Sequence, residues 1–180
     1  MRIALPFITL LCLALFTLNS GSVEKSYSDD CPENTALTSV KNDKIDYENG
    51  FPHKYAYGNY NKTYNSYRAI FLNFDKSRDG DFRKPEGDEI KVVIMVFNMK
   101  GTELTEGEYT MDGGETGNQF SVGIETSEGS TYVTSLNGAE VGSVKINRID
   151  EERICGEVDV NDSNGMKVIG SFSVKNEKVR

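Results

Sequence analysis

The sequence predicts an all-β protein: a single antiparallel β-sandwich or open barrel, built from consecutive hairpins after a cleaved signal peptide. Three observations carry that expectation. Apolar, β-branched and aromatic runs recur about every 8–12 residues, the spacing of short strands joined by turns. No run beyond residue 22 keeps the helical period. Between the runs lie SEGS, LNGAE, DEE and NDSNG, turn-forming clusters in which Asn137-Gly138 and Asn164-Gly165 are strong hairpin signals.

Taken in order, the chain opens with Arg2 and an apolar stretch from Ile3 to Leu18, closed by Ser20, Gly21 and Ser22. A basic start, an apolar middle and small residues define a secretory signal, so residues 1–22 are expected to be removed. The stretch is short for a membrane span, which takes ~20 apolar residues, so no stable insertion is expected after cleavage. Residues 23–36 (VEKSYSDDCPENTA) are polar and aperiodic and read as an extended leader. The domain is expected over residues 37–180. Residues 37–63 should hold two short, irregular strands among Asn- and Gly-rich turns. Tyr64–Phe74 alternates, with Ile70, Leu72 and Phe74 on one side. Glu89–Met99 is the most apolar stretch of the mature chain, β-branched and too long for an edge, which predicts a central strand. Gln119–Thr126, Thr131–Leu136, Val141–Ile149, Arg153–Val160 and Met166–Val174 complete the set.

The chain carries 20 Lys and Arg against 28 Asp and Glu; losing residues 1–22 removes only Arg2, leaving 19 against 28, a net charge of −9. That balance argues against a nucleic-acid role, which needs a basic face to neutralise phosphates. It equally disfavours attachment to anionic lipid, and it leaves room for a cation. Cleavage also removes one of three cysteines. Cys31 and Cys155 remain, and in an oxidising compartment they are expected to pair; the alternative is two free thiols with Cys155 buried as a small apolar residue.

The run GSVKINRIDEERICGEVDVNDSNGMKVIGSFSVK, with EGEYTM upstream, resembles exported bacterial β-rich proteins of unassigned role. In those proteins a Gly-x-Val-x-Ile strand, a turn with Asp, an Ile-x-Gly strand and a closing Gly-x-Phe-x-Val strand form consecutive hairpins. The likeness covers about residues 89–175 and implies fold more than function. A lipid-attachment motif is missing from this chain, so anchoring does not carry over.

The most specific chemical pattern is DKSRDGDFRKPE, residues 75–86. Its spacing matches a calcium loop, with Asp75, Ser77, Asp79, Asp81 and Glu86 as oxygen ligands and Gly80 at the sharp turn. Arg83 stands where an oxygen or bridging water belongs, and Pro85 with Gly87 cannot launch the usual exiting helix. The competing reading is a solvated hairpin connection. Tyr55, Tyr57, Tyr60, Tyr64 and Tyr67 form an unusual aromatic segment, either strand residues or a recognition surface for a protein or glycan. Asp159–Gly165 reads as a hairpin turn and MDGGETGNQ (residues 111–119) as a flexible loop, without the context of a phosphate cradle. His53 is the only histidine, which excludes two-histidine metal sites. Asn61-Lys62-Thr63 and Asn161-Asp162-Ser163 match the glycosylation sequon.

The expected function is therefore that of an exported, non-catalytic β-domain. It would be secreted, periplasmic or at the cell surface, acting by binding or as an envelope structure, with calcium as the candidate ion. The alternative is a secreted hydrolase or enzyme inhibitor whose site the sequence does not display.

Overall fold

The structure, a computed structural model, describes residues 31–75, 83–133 and 141–177. Among them no helix occurs, and eleven strands follow in chain order. They are β1 (Ala36–Lys41), β2 (Asp46–Tyr47), β3 (Tyr55–Asn61), β4 (Ser66–Leu72), β5 (Lys91–Asn98) and β6 (Gly107–Tyr109), then β7 (Asn118–Thr126), β8 (Gly129–Tyr132), β9 (Gly142–Ile149), β10 (Arg153–Asn161) and β11 (Lys167–Lys175). Two antiparallel sheets result, ordered β2-β1-β11-β10-β9-β6 and β3-β4-β5-β7-β8. They form a sandwich that does not close into a barrel. β5 lies at the centre of the smaller sheet, where its apolar run placed it.

Period-two alternation builds the core. Tyr67, Ala69 and Phe71 of β4 face inward with Val92, Ile94 and Val96 of β5. Opposite them stand Val144 and Ile146 of β9, Val158 and Val160 of β10, and Phe172 and Val174 of β11. Phe71 and Phe172 meet edge to face across the two sheets, their ring centres 6.2 Å apart. Each such side chain stabilises the fold by about 1.5–3 kcal/mol through burial. β4 is buried on both faces. Ile70, Leu72 and Phe74 do share a side, but it is the outer side of the sheet, where they cluster with Tyr57 and are flanked by Tyr55 and Val93.

Residues 37–63 hold three strands where two were expected. The extra order comes from partners far along the chain, since β1 pairs with β11 from Ala36↔Ser171 to Lys41↔Lys167. β2 then adds only Val40↔Tyr47 and Lys41↔Asp46. Strand pairing at β8 begins at Gly129, two residues earlier than the apolar run suggested. The Asn137-Gly138 signal lies outside the described residues. Asn164-Gly165 does sit in a hairpin, but one organised by Asp162, a buried side chain whose Oδ1 accepts from the amides of Asn164 and Met166 at 2.9 Å each.

Cys31 and Cys155 form a disulfide, Cα–Cα 5.6 Å. The approach is set by β11. Beyond β1, Thr35 Oγ1 donates to the Ser173 carbonyl at 3.1 Å and accepts from its amide at 3.0 Å. Ser173 is in turn the register partner of Cys155 on β10. The end of the polar leader is thus laid along the sheet, and the bond fastens it there. Because the two cysteines lie 124 residues apart, the cross-link should contribute about 4–5 kcal/mol through the unfolded chain. Cys155→Ser is expected to lose that amount in denaturant unfolding, and a thiol count on the denatured, unreduced protein should find neither Cys31 nor Cys155 free.

Candidate binding groove

Three turns converge at one end of the sandwich. In the β3–β4 turn, Asn61 Oδ1 accepts from the amides of Thr63 (3.0 Å) and Tyr64 (3.3 Å), an Asx-turn that suits Asn at this place. Asn65 then donates through Nδ2 to the Thr102 carbonyl, drawing the β5–β6 connection alongside. In the β9–β10 turn, Asp150 accepts from the amides of Glu152 (2.8 Å) and Arg153 (2.9 Å) and from Arg148 Nε (2.6 Å). Burial opposes ionisation of Asp150, but these three bonds outweigh it and hold the carboxyl below the usual range. Asn176, just past β11, ties the turns together. Its Nδ2 donates to the Glu151 carbonyl (2.9 Å), its amide to that of Glu152 (2.7 Å), and its Oδ1 accepts from the Tyr60 amide (3.3 Å).

Between these turns lies a cavity of about 670 Å³, open to solvent. Tyr60, Tyr67, Leu104 and Ile149 supply its apolar wall, and Lys62, Glu103, Asp150 and Glu151 its charged rim. The Tyr60 and Tyr67 rings lie 6.0 Å apart, tilted by 34°. Tyr67 is only 1% exposed, and its hydroxyl has no hydrogen-bond partner among the described residues. Ser39 Oγ is the other buried side-chain oxygen in that condition. Such an unmet donor and acceptor costs about 1–3 kcal/mol. Gly58 makes room for the ring, because a Cβ there would come within 2.8 Å of the Tyr67 hydroxyl and 3.2 Å of the Lys175 carbonyl oxygen.

No protein-family model, curated protein or solved structure gives a significant match to this chain. The fold and the groove therefore define it on their own: a two-sheet antiparallel sandwich with one end hollowed between its turns.

The tyrosine segment divides. Tyr57 and Tyr67 are buried and Tyr55 is half-buried with its hydroxyl on Glu177, so of the five only Tyr60 and Tyr64 are exposed. Of the calcium-loop residues, Ser77, Asp79 and Asp81 lie outside the described residues, while Asp75 and Glu86 are both exposed. Asn73 closes the base of that loop, accepting from the Ile90 amide at 2.7 Å and donating to the Asp88 carbonyl at 3.1 Å. Arg83 stacks 4.8 Å over the Phe74 ring and pairs with Glu89 (2.6 Å) and Glu86 (3.4 Å). His53 stands edge-on to Phe71 at 6.2 Å, a packing position. The Gly-rich segment expected to be flexible is a bonded turn, with Gly117 donating to the Gly113 carbonyl at 2.7 Å and Asp112 accepting from Gly114 at 3.2 Å. Leu104, Ile149, Glu103, Glu151 and Asn176 went unnoticed in the sequence. The only local signal among them was the DEE turn.

Burial pushes the Tyr67 hydroxyl up, with the Asp150 charge adding to it. Burial takes the Tyr109 hydroxyl to about 12, although its bond to the Thr105 backbone works the other way. Folding thus favours the neutral phenols. Their contribution is complete below the unfolded value near 10 and is lost as pH climbs towards the folded values. Unfolding midpoints should fall above about pH 10, and less steeply in Tyr67→Phe. At neutral pH, Tyr67→Phe should be neutral or stabilise by about 1 kcal/mol, since it removes an unpartnered oxygen.

Proposed function

We propose that this protein is an exported, non-catalytic β-sandwich that works by binding, alone or within a surface or envelope structure, and that the groove is where it binds. The single observation behind this reading is the Tyr67 hydroxyl, buried without a partner among the described residues beside a cavity of ligand size. Ligand sites are concave, mostly apolar and carry a few placed polar groups, and cavities of about 300–1,000 Å³ are typical of them. Export is supported by the Cys31–Cys155 disulfide, which belongs outside the reducing cytoplasm. The resemblance to exported bacterial β-rich proteins agrees with it. Among the described residues no helix is long and apolar enough to cross a membrane. A non-catalytic role is supported by His53, which packs against Phe71, and by Asp150, whose carboxylate already serves Arg148 and two amides.

An NMR titration with butylammonium, butyrate, butanol and methyl glucoside tests the reading. At least one probe should shift the amides of Tyr60, Tyr67, Leu104, Ile149 and Asn176 and leave the opposite end, around Ser127, unmoved. Tyr60→Ala should abolish the shifts. No response from any probe at millimolar concentration would overturn the assignment.

Calcium is a separate part of the proposal, at Asp75 and Glu86 together with Ser77, Asp79 and Asp81. A cation there has to draw Glu86 away from Arg83, 3.4 Å distant, so affinity should be weak and suited to millimolar calcium. Thermal unfolding in calcium against chelator should show a small stabilisation, larger in Arg83→Ala. Identical midpoints in both proteins would sink the site.

A further inference from the structure

We infer that the groove receives a lysine or arginine side chain displayed by a partner protein. The inference rests on the groove being the binding site and names its ligand chemistry. The first argument is the rim. Glu103 and Glu151 make no ion pair among the described residues, and Asp150 is held ionised. Among the described residues Lys62 is the one cation of the lining, and Asp150 is already paired with Arg148 at 2.6 Å. Two uncommitted carboxylates beside one ammonium favour a positive guest, and the net charge of the chain, −8, steers the same way.

The second argument is the wall. Tyr60 is 41% exposed and stands 6.0 Å from the buried Tyr67, so a cation entering between the turns meets the Tyr60 ring. An anion would find no free donor of comparable charge beyond Lys62.

The third argument decides between a displayed side chain and a free amine. Four large apolar side chains are prominently exposed among the described residues: Tyr60, Tyr64, Met99 and Tyr132. Three of them share this end. Tyr64, 74% exposed, crowns the β3–β4 turn, and Met99, 68% exposed, directly follows the neighbouring β5. Ser66↔Phe97 pairing and the Asn65–Thr102 bond hold those two segments side by side. Exposed apolar side chains at the same end as an acidic hollow suit a polypeptide that inserts one basic side chain and lays its neighbours on them.

The experiment uses blocked tripeptides Gly-X-Gly, with X lysine, arginine, norleucine or glutamate, and butylammonium as the free amine. All are titrated by NMR into the intact protein. The lysine and arginine peptides should bind at Tyr60 and Tyr67 at least tenfold more tightly than norleucine, with glutamate not binding. Affinity should fall with salt and by about tenfold in the Glu103→Gln/Glu151→Gln double variant, whose unfolding midpoint should not change. Butylammonium should bind more weakly than the lysine peptide, because it reaches neither Tyr64 nor Met99. Equal or tighter binding of norleucine or glutamate would overturn the cation while leaving the groove as the site. Butylammonium matching the lysine peptide would overturn the partner protein in favour of a free amine. Silence from every probe, charged or neutral, would overturn the groove itself.

Discussion

Gly58 lets the two sheets touch along one flank. Its carbonyl accepts from the Glu177 amide at 2.8 Å, and it forms an isolated parallel bridge with Asn176, so the edge of the smaller sheet is stitched to the tail of the larger one. The same missing side chain gives the Tyr67 ring its bed. Everything at that end follows from the stitch. Asn176 is placed to grip the β9–β10 turn and the Tyr60 amide, and the turns are drawn round a space that no described side chain fills. An alanine at position 58 would have to push either Tyr67 or the Lys175 carbonyl away, and the hollow would lose its floor or its edge.

Much of the architecture was legible because strands and hairpins are local. The alternation of β9, β10 and β11, the centrality of β5 and the turn at Asp162 can each be read within about a dozen residues. What escaped was long-range. β1 owes its existence to residues 167–171, which local pattern cannot announce. Alternation on β4 showed which residues share a side but not that this side faces outward, since apolar residues occupy both faces. For the groove, Tyr60 and Lys62 fell inside a segment already conspicuous for its tyrosines. Glu103, Ile149 and Asn176 come from the β5–β6 connection, the end of β9 and the tail beyond β11, and nothing in their own neighbourhoods marks them as neighbours. The tyrosine count misled for a related reason. A strand sends successive side chains to opposite faces, so a run rich in tyrosine divides between core and surface.

Arg83 shows how a motif can be met in composition and contested in geometry. In a calcium loop its position should lend an oxygen; instead it joins Phe74 to two carboxylates. The hydrogen bond from Arg83 lowers Glu89 below its usual range, and Arg83 is raised by the same contact. The guanidinium thereby does, at the mouth of the β4–β5 connection, part of what a bound cation would do. A metal ion held by Glu86 would have to compete with Arg83 for it.

The bond between Cys31 and Cys155 also imposes an order in time. A chain that emerges amino end first presents the thiol at 31 long before its partner 124 residues on. β1 waits just as long, since its neighbour in the sheet is the last strand. Neither the covalent nor the hydrogen-bonded closure can form on a partial chain, so the larger sheet is completed only once its last strand is present. Until then the first cysteine is open to whatever thiols surround it, and the cellular machinery that holds or shuffles it becomes part of how this fold is reached.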